Sequence, residues 1–302
     1  MTSTPQLVPD YKYLIFEGGG VLGTAYAGCI KILEDKNILP HIQGFAGSSI
    51  GALVATALAC GASSKFLHEE VFSIDFRTLK DYSYNIITDL YHIFADYGLC
   101  HGSVLLETTR SILKKLAGNA DITFKEHYER FGKELIVTGT NLSKRRTVYF
   151  SHKNTPDMKL FIALRISASF PIIFRPVKYE EEIWLDGGML NNYPIQCWDT
   201  MSNCVKIANP QVLGFKLLAP EEITGTFEAI HDVKTYTVAM FEVIYNQAQK
   251  IHQSAQDWTR TIKVNVGNIS STDFSLDAEQ KAWLEKQGED ATLAFLTINS
   301  GK

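Results

Sequence analysis

The chain has 302 residues, 45% of them apolar and 21% charged, with a formal net charge of −4. This is globular composition, long enough to bury a core without disulfide staples, and it gives nucleic acid no basic surface and an anionic membrane no general attraction. Five cysteines (Cys29, Cys60, Cys100, Cys197 and Cys204) form no CxxC pair, which argues against a disulfide framework or a structural zinc site and fits reduced thiols in the cytoplasm.

Residues 1–10 read as an N-terminal tail without the basic and apolar regions of a signal peptide. Tyr11 to Glu17 is a strand candidate, and Gly18 to Gly23 a glycine turn. Thr24 to Lys36 has Ala27, Ile30 and Leu33 on one helical face. A short strand ends near Phe45, and Ile50 to Cys60 reads as a buried helix stopped by Gly61. The apolar run Gly51 to Ala62 is too short to span a bilayer, so any lipid is met from the water side.

Residues 65–116 are mostly helical in pattern. Lys133 to Asn141 and Arg146 to Ser151 read as strands, with Lys144-Arg145-Arg146 a solvated hairpin tip. A helix is expected over Lys159 to Ala168, then two short strands around the acidic turn at Glu180 to Glu182. Val212 to Leu218 and Thr261 to Val266 are further strands, and long helices are expected at about 226–256 and 277–297. Strands separated by helices, with glycine turns after strands, indicate an α/β layered fold. No composition break cuts residues 11–302, which read as a single domain.

Three short motifs carry chemistry. Gly18-Gly19-Gly20-Val21-Leu22-Gly23 fits G-x-G-x-x-G between a strand and a helix, where open backbone N–H groups point at negative charge. Alone it is equally a tight turn or a dinucleotide fingerprint. Gly47-Ser48-Ser49-Ile50-Gly51 is a G-x-S-x-G, in which a strand-to-helix turn pushes the hydroxyl of Ser49 out of the sheet. Asp186-Gly187-Gly188 is a turn or a general base, a strand-end carboxylate whose weak basicity burial would raise.

In this order the three motifs resemble the patatin-like phospholipase family. The segments Arg165 to Val177, Asp186 to Ile195 and Ser271 to Leu276 extend the likeness over roughly residues 11–297. The resemblance implies a three-layer patatin-like α/β fold with a central, mostly parallel sheet flanked by helices. It implies a lipid acyl hydrolase of the phospholipase A or lysophospholipase type, with Ser49 as nucleophile and Asp186 as base. The amides of Gly18, Gly19 and Gly20 become the oxyanion hole, and Gly23, Gly47, Gly51, Gly187 and Gly188 support the turns. No metal and no cofactor are implied. The implied partners are a phospholipid or lysophospholipid substrate and a transient membrane surface; some intracellular members are switched on by a protein partner, which this sequence neither requires nor excludes. A variant of the same reading is a patatin-fold binding or regulatory module with weak turnover.

Leu22 departs from the family, many of whose members carry Arg or Lys there; Arg165 and Arg175 are other sources of that charge, although a structural role is the default for both. A Ser-His-Asp hydrolase is disfavoured because Ser49 leaves room for only two strands before it and because His231 and His252, which follow Asp186, lie in amphipathic helical runs. A dinucleotide fold is disfavoured because no acid follows the glycines at a strand end. Two apolar runs, Asn85 to Phe94 and Phe227 to Tyr245, are lid or lipid-facing candidates that equally fit packed helices, and Tyr97 to Glu107 is a candidate mobile edge.

Overall fold

The computed structural model describes residues 10–79, 81, 95–202, 205–218 and 254–299. Outside them lie the expected helix at about 226–256 up to residue 253, all of Asn85 to Phe94 and of Phe227 to Tyr245, and Cys204, His92, His231 and His252. No helix among the described residues is long and apolar enough to cross a membrane.

Strand β1 (Tyr13–Phe16) leads through a single 3-10 turn into helix α1 (Ala25–Asp35). β2 (Gly44–Gly47) and α2 (Ile50–Ala59) repeat the unit. Ten of the twelve residues from Gly51 to Ala62 are buried, and Thr56 hides its hydroxyl by donating to the Ala52 carbonyl at 2.7 Å. Within the stretch that reads as helical, β3 (Gly98–Cys100) is instead a strand, followed by α3 (Ser103–Ala117). β3 pairs in parallel with β6 (Ile172–Phe174), so a distant partner overrides its local pattern.

Between them lie α4 (Phe124–Phe131), β4 (Glu134–Asn141), β5 (Arg146–Phe150) and α5 (Leu160–Ser167). α4 starts on a capping box in which Thr123 and Glu126 each bond the other's backbone amide. β7 (Val177–Tyr179) and β8 (Glu182–Asp186) form the expected acidic-tipped hairpin, with Glu180 and Glu181 both at positive φ. The small hairpin β9 (Thr200–Ser202) and β10 (Val205–Ile207) precedes β11 (Val212–Leu218), β12 (Thr261–Asn265) and the long α6 (Ala278–Asn299).

The eight-stranded sheet runs β12-β11-β1-β2-β4-β8-β7, with β5 also on β4. Its first five strands are mutually parallel, and β5, β7 and β8 pair antiparallel. The expected α/β architecture, a mostly parallel sheet flanked by helices, is the one observed. Successive residues of β1 serve opposite faces. Leu14 and Phe16 enter the main core with α1 and α2, where Phe16 stacks on Phe215 at 5.0 Å between ring centroids. Ile15 faces the other way, onto Ala46, Val212, Tyr193 and Ile195.

α6 covers α1 at close range. A Cβ on Gly28 would lie 1.9 Å from the Glu285 carbonyl oxygen, and one on Gly288 2.0 Å from that of Ala25. In an open helix, glycine to alanine gains about 1 kcal/mol. Here the clash is with backbone and outweighs that gain, since overpacking costs ~1–3 kcal/mol. Gly288→Ala is therefore expected to lower the urea midpoint; a raised midpoint would mean that the two helices are not in backbone contact.

Candidate active site

β1 has β2 on one side and β11 on the other, so the carboxyl ends of these strands open the crevice in which parallel α/β sheets bind ligands. Both β1 and β2 release the chain there into a glycine turn.

After β1, the Gly18 amide donates to the Asn192 carbonyl at 3.1 Å, and Asn192 Nδ2 donates back to the Gly18 carbonyl at 2.8 Å. Gly20 has a φ of +54°, in the left-handed region that favours glycine, and a Cβ there would lie 2.1 Å from the Ser271 carbonyl oxygen. That same carbonyl accepts the Val21 amide at 3.1 Å. The loop is thus clamped from two sides, and with the Gly18 amide spent, those of Gly19 and Gly20 are left without an acceptor among the described residues. Gly23 carries the turn onward beneath Ile50, which a Cβ would meet at 2.5 Å.

After β2, Ser49 sits at φ 51° and ψ −126°, a conformation that costs an L-residue ~1–3 kcal/mol. The surroundings impose it. A Cβ on Gly47 would lie 2.3 Å from the Gly51 carbonyl, and one on Gly51 2.3 Å from the Phe16 carbonyl. The Ser49 amide donates to the buried Ser167 hydroxyl at 2.9 Å. Ser49 is half-buried at the N-terminus of α2, where the helix dipole favours developing negative charge.

Asp186 reaches this point by strand pairing. Val137 of β4 pairs with both β2 (Gly47) and β5 (Phe150), while Gly139 pairs with both β5 (Val148) and β8 (Asp186). β5 therefore holds one edge of β4, and β2 and β8 share the other. β2 stops at Val137; β8 arrives antiparallel and stops at Gly139. The C-terminal ends of the two strands meet head-on, about 7 Å apart along β4. Thr138 fills the junction, where a Cβ on Gly187 would strike its hydroxyl at 2.1 Å.

The Asp186 carboxyl is buried, and Oδ1 accepts the Gly188 amide at 2.7 Å. Burial pushes its pKa up to about 7; the Gly188 amide and the Ser49 hydroxyl, donors to the carboxylate, pull the other way. Oδ2 lacks a partner at full hydrogen-bonding distance among the described residues. The Ser49–Asp186 contact is therefore looser than a closed hydrogen bond, as is common before substrate binds.

Three residues outside the sequence motifs complete the arrangement. Ser167 Oγ holds the Ser49 amide, and the Ser169 carbonyl holds the Asp186 amide at 3.0 Å, so one short segment at the end of α5 positions both groups. Asn192 ties the glycine loop to the turn after Asp186, where a Cβ on Gly188 would lie 2.6 Å from its Oδ1. The serines of RISASF and the paired asparagines after Asp-Gly-Gly, polar residues in apolar runs, were the sequence signals for them. Leu22 is buried. Arg165 is spent on the carbonyls of His101 and Arg175 and on Ser169, and Arg175 pairs with Asp96 at 3.0 Å. Both arginines hold structure together. Two clefts of about 660 and 360 Å³, one along β5 and one beside Trp198, are lined by neither Ser49 nor Asp186, so the motifs do not serve these clefts.

A family model described as Patatin-like phospholipase matches residues 14–196. Uncharacterized protein R571 of Acanthamoeba polyphaga mimivirus is 31% identical, over 95% of this chain and 94% of its own length. Probable lipid hydrolase 463L of Invertebrate iridescent virus 6 is also 31% identical, over 61% of this chain and 62% of its own. The crystal structure of VipD from Legionella pneumophila superposes with a TM-score of 0.63 at 19% identity, over 96% of this chain and 67% of its own, which shows a shared fold.

Two outcomes follow from the geometry. Because Ser49 is held at positive φ, Ser49→Gly is expected to be more stable than Ser49→Ala by about 1 kcal/mol or more, read from denaturant midpoints. Asp186 binds its proton more tightly folded than unfolded. Its favourable contribution is therefore present below the unfolded carboxylate value near ~4 and lost as pH rises through about 7. The gap is worth roughly 4 kcal/mol at most, so Asp186→Asn should gain stability over wild type as pH rises from about 4 to about 7, and no further above that. An offset that does not change with pH would show that burial leaves the carboxyl unshifted.

Proposed function

Because this chain belongs to the patatin-like phospholipase family, we propose that it is a lipid acyl hydrolase that cleaves carboxylic esters of membrane lipids with Ser49 and Asp186. The observation that carries this reading is the head-on meeting of β2 and β8 on one edge of β4, which brings a strained serine turn to a buried carboxyl titrating near neutrality.

Asp186 takes the Ser49 hydroxyl proton as Oγ attacks the ester carbonyl. The amides of Gly19 and Gly20 receive the oxyanion, while Gly18 shapes the loop through its two bonds to Asn192. Collapse of the tetrahedral adduct breaks the ester C–O bond. The proton held by Asp186 passes to the departing lysolipid or alcohol oxygen, leaving the acyl group on Ser49. Water, deprotonated by Asp186, attacks the acyl-enzyme; the fatty acid leaves and the proton returns to Ser49. A pKa near the working pH lets one carboxyl serve as base and acid in both halves. No histidine is required. Loss of one oxyanion donor typically lowers kcat by about 10²–10³-fold, so the shape of the loop matters nearly as much as Ser49. A phospholipid or lysophospholipid at a membrane surface is the substrate class that fits the family.

Hydrolysis of phospholipid and lysophospholipid vesicles and labelling by a fluorophosphonate are the test. Wild type should hydrolyse and be labelled at Ser49, and Ser49→Ala and Asp186→Asn should lose turnover. kcat/KM should rise with pH along a limb centred at about 7. Full turnover by Ser49→Ala would reject the mechanism. A wild type that is neither labelled nor active would favour a binding or partner-activated module.

A further inference from the structure

Behind the glycine loop lies a buried ion pair. Glu17 and Lys216 are 5% and 6% exposed, with Nζ 2.5 Å from Oε1. Removing one member of such a pair strands the other's charge, whereas an uncharged pair of similar size is tolerated. The pair therefore needs an explanation other than stability.

The backbone around it supplies one. β1 and β11 form a parallel ladder in which the Tyr13 amide bonds the Gln211 carbonyl at 3.2 Å and the Glu17 amide bonds that of Phe215 at 3.1 Å. The next rung of that ladder would run from the Leu217 amide to the Glu17 carbonyl. It is not made. The Glu17 carbonyl accepts the Tyr26 hydroxyl at 2.7 Å instead, and the Leu217 amide donates to Glu17 Oε2 at 2.9 Å. The Glu17 carboxylate thus stands in for its own carbonyl, and Lys216 neutralises the charge this brings into the core. One residue later the glycine loop leaves the sheet, and a Cβ on Gly19 would meet Leu217 at 2.6 Å.

We infer that Glu17 is the positioning residue of the oxyanion loop. Its carboxylate releases the backbone from the ladder, Tyr26 holds the freed carbonyl, and together they turn the amides of Gly19 and Gly20 toward Ser49. This rests on the acyl-hydrolase reading above. Glu17 touches no reacting atom, so its effect appears in kcat and not in KM, and it depends on the acceptor at Oε2 more than on the charge.

Two double variants separate these roles without stranding a charge. Glu17→Gln/Lys216→Met keeps an acceptor for the Leu217 amide; Glu17→Leu/Lys216→Met removes it. With folding verified by circular dichroism and melting temperature, the Leu variant is expected to lose about 10²-fold in kcat and in fluorophosphonate labelling rate, at unchanged KM. The Gln variant is expected to recover most of that loss. Should the Leu variant not fold, Tyr26→Phe strands no charge and is expected to lower kcat about 10-fold at unchanged KM, because the Glu17 carbonyl is then free to re-enter the ladder. A folded Leu variant or Tyr26→Phe with wild-type kcat, or with a change in KM alone, would overturn the positioning role while leaving the dyad standing. A wild type that neither hydrolyses nor labels would set aside the acyl-hydrolase reading, and this role with it.

Discussion

β4 is longer than any strand beside it, and the site depends on how its one edge is divided. Its first half pairs in parallel with β2 and its second half antiparallel with β8. Two strands entering the same edge from opposite ends must stop where they meet. The two chain ends at that point carry Ser49 and Asp186, which are 137 residues apart in the chain. Hydrogen bonding along β4 therefore sets the separation of nucleophile and base before any side-chain contact is made. Residues 167–169 then fix both by their backbone amides, and Asn192 brings in the glycine loop.

Sheet pairing also accounts for the electrostatics. Asp186, at the end of the interior strand β8, is buried and has a single backbone donor at full hydrogen-bonding distance. Burial wins over that one donor and lifts its proton affinity toward neutrality. Glu17 is just as buried, but it faces Lys216 and the Leu217 amide. The two carboxylates lie in the same region of the fold with different tasks, one left underpaired to exchange a proton and one fully paired to hold a backbone turn.

Several glycines here are spaces more than hinges. Gly28 and Gly288 let two helices touch, Gly47 and Gly51 let the elbow close on itself, and Gly187 clears Thr138. At Gly20, unlike these, the backbone conformation itself is demanding. Ser49, which is not glycine, accepts a comparable strain, so the elbow is held by its neighbours and not by local preference.

Much of this was legible in the chain because it depends on short-range pattern. The strand at β1, the buried helix α2, the β4–β5 hairpin and the β7–β8 hairpin follow from periodicity and turn residues, and Ser49 and Asp186 stand out by their flanking glycines. α4 is not among the expected elements, although Thr123 and Glu126 carry a local signal for its start, a capping box. What sequence alone could not supply is whatever depends on pairing between distant segments. The strand Gly98–Cys100 exists because Ile172–Phe174 lies beside it. The spent amide of Gly18 depends on Asn192, the clamp at Gly20 on Ser271, and the strained Ser49 on Ser167. Residue type and local spacing thus determined which groups are suited to chemistry. Tertiary structure decided which of them meet, how deeply the carboxyl is buried and which loop amides stay open, because each of these is set by a neighbour far away in the chain.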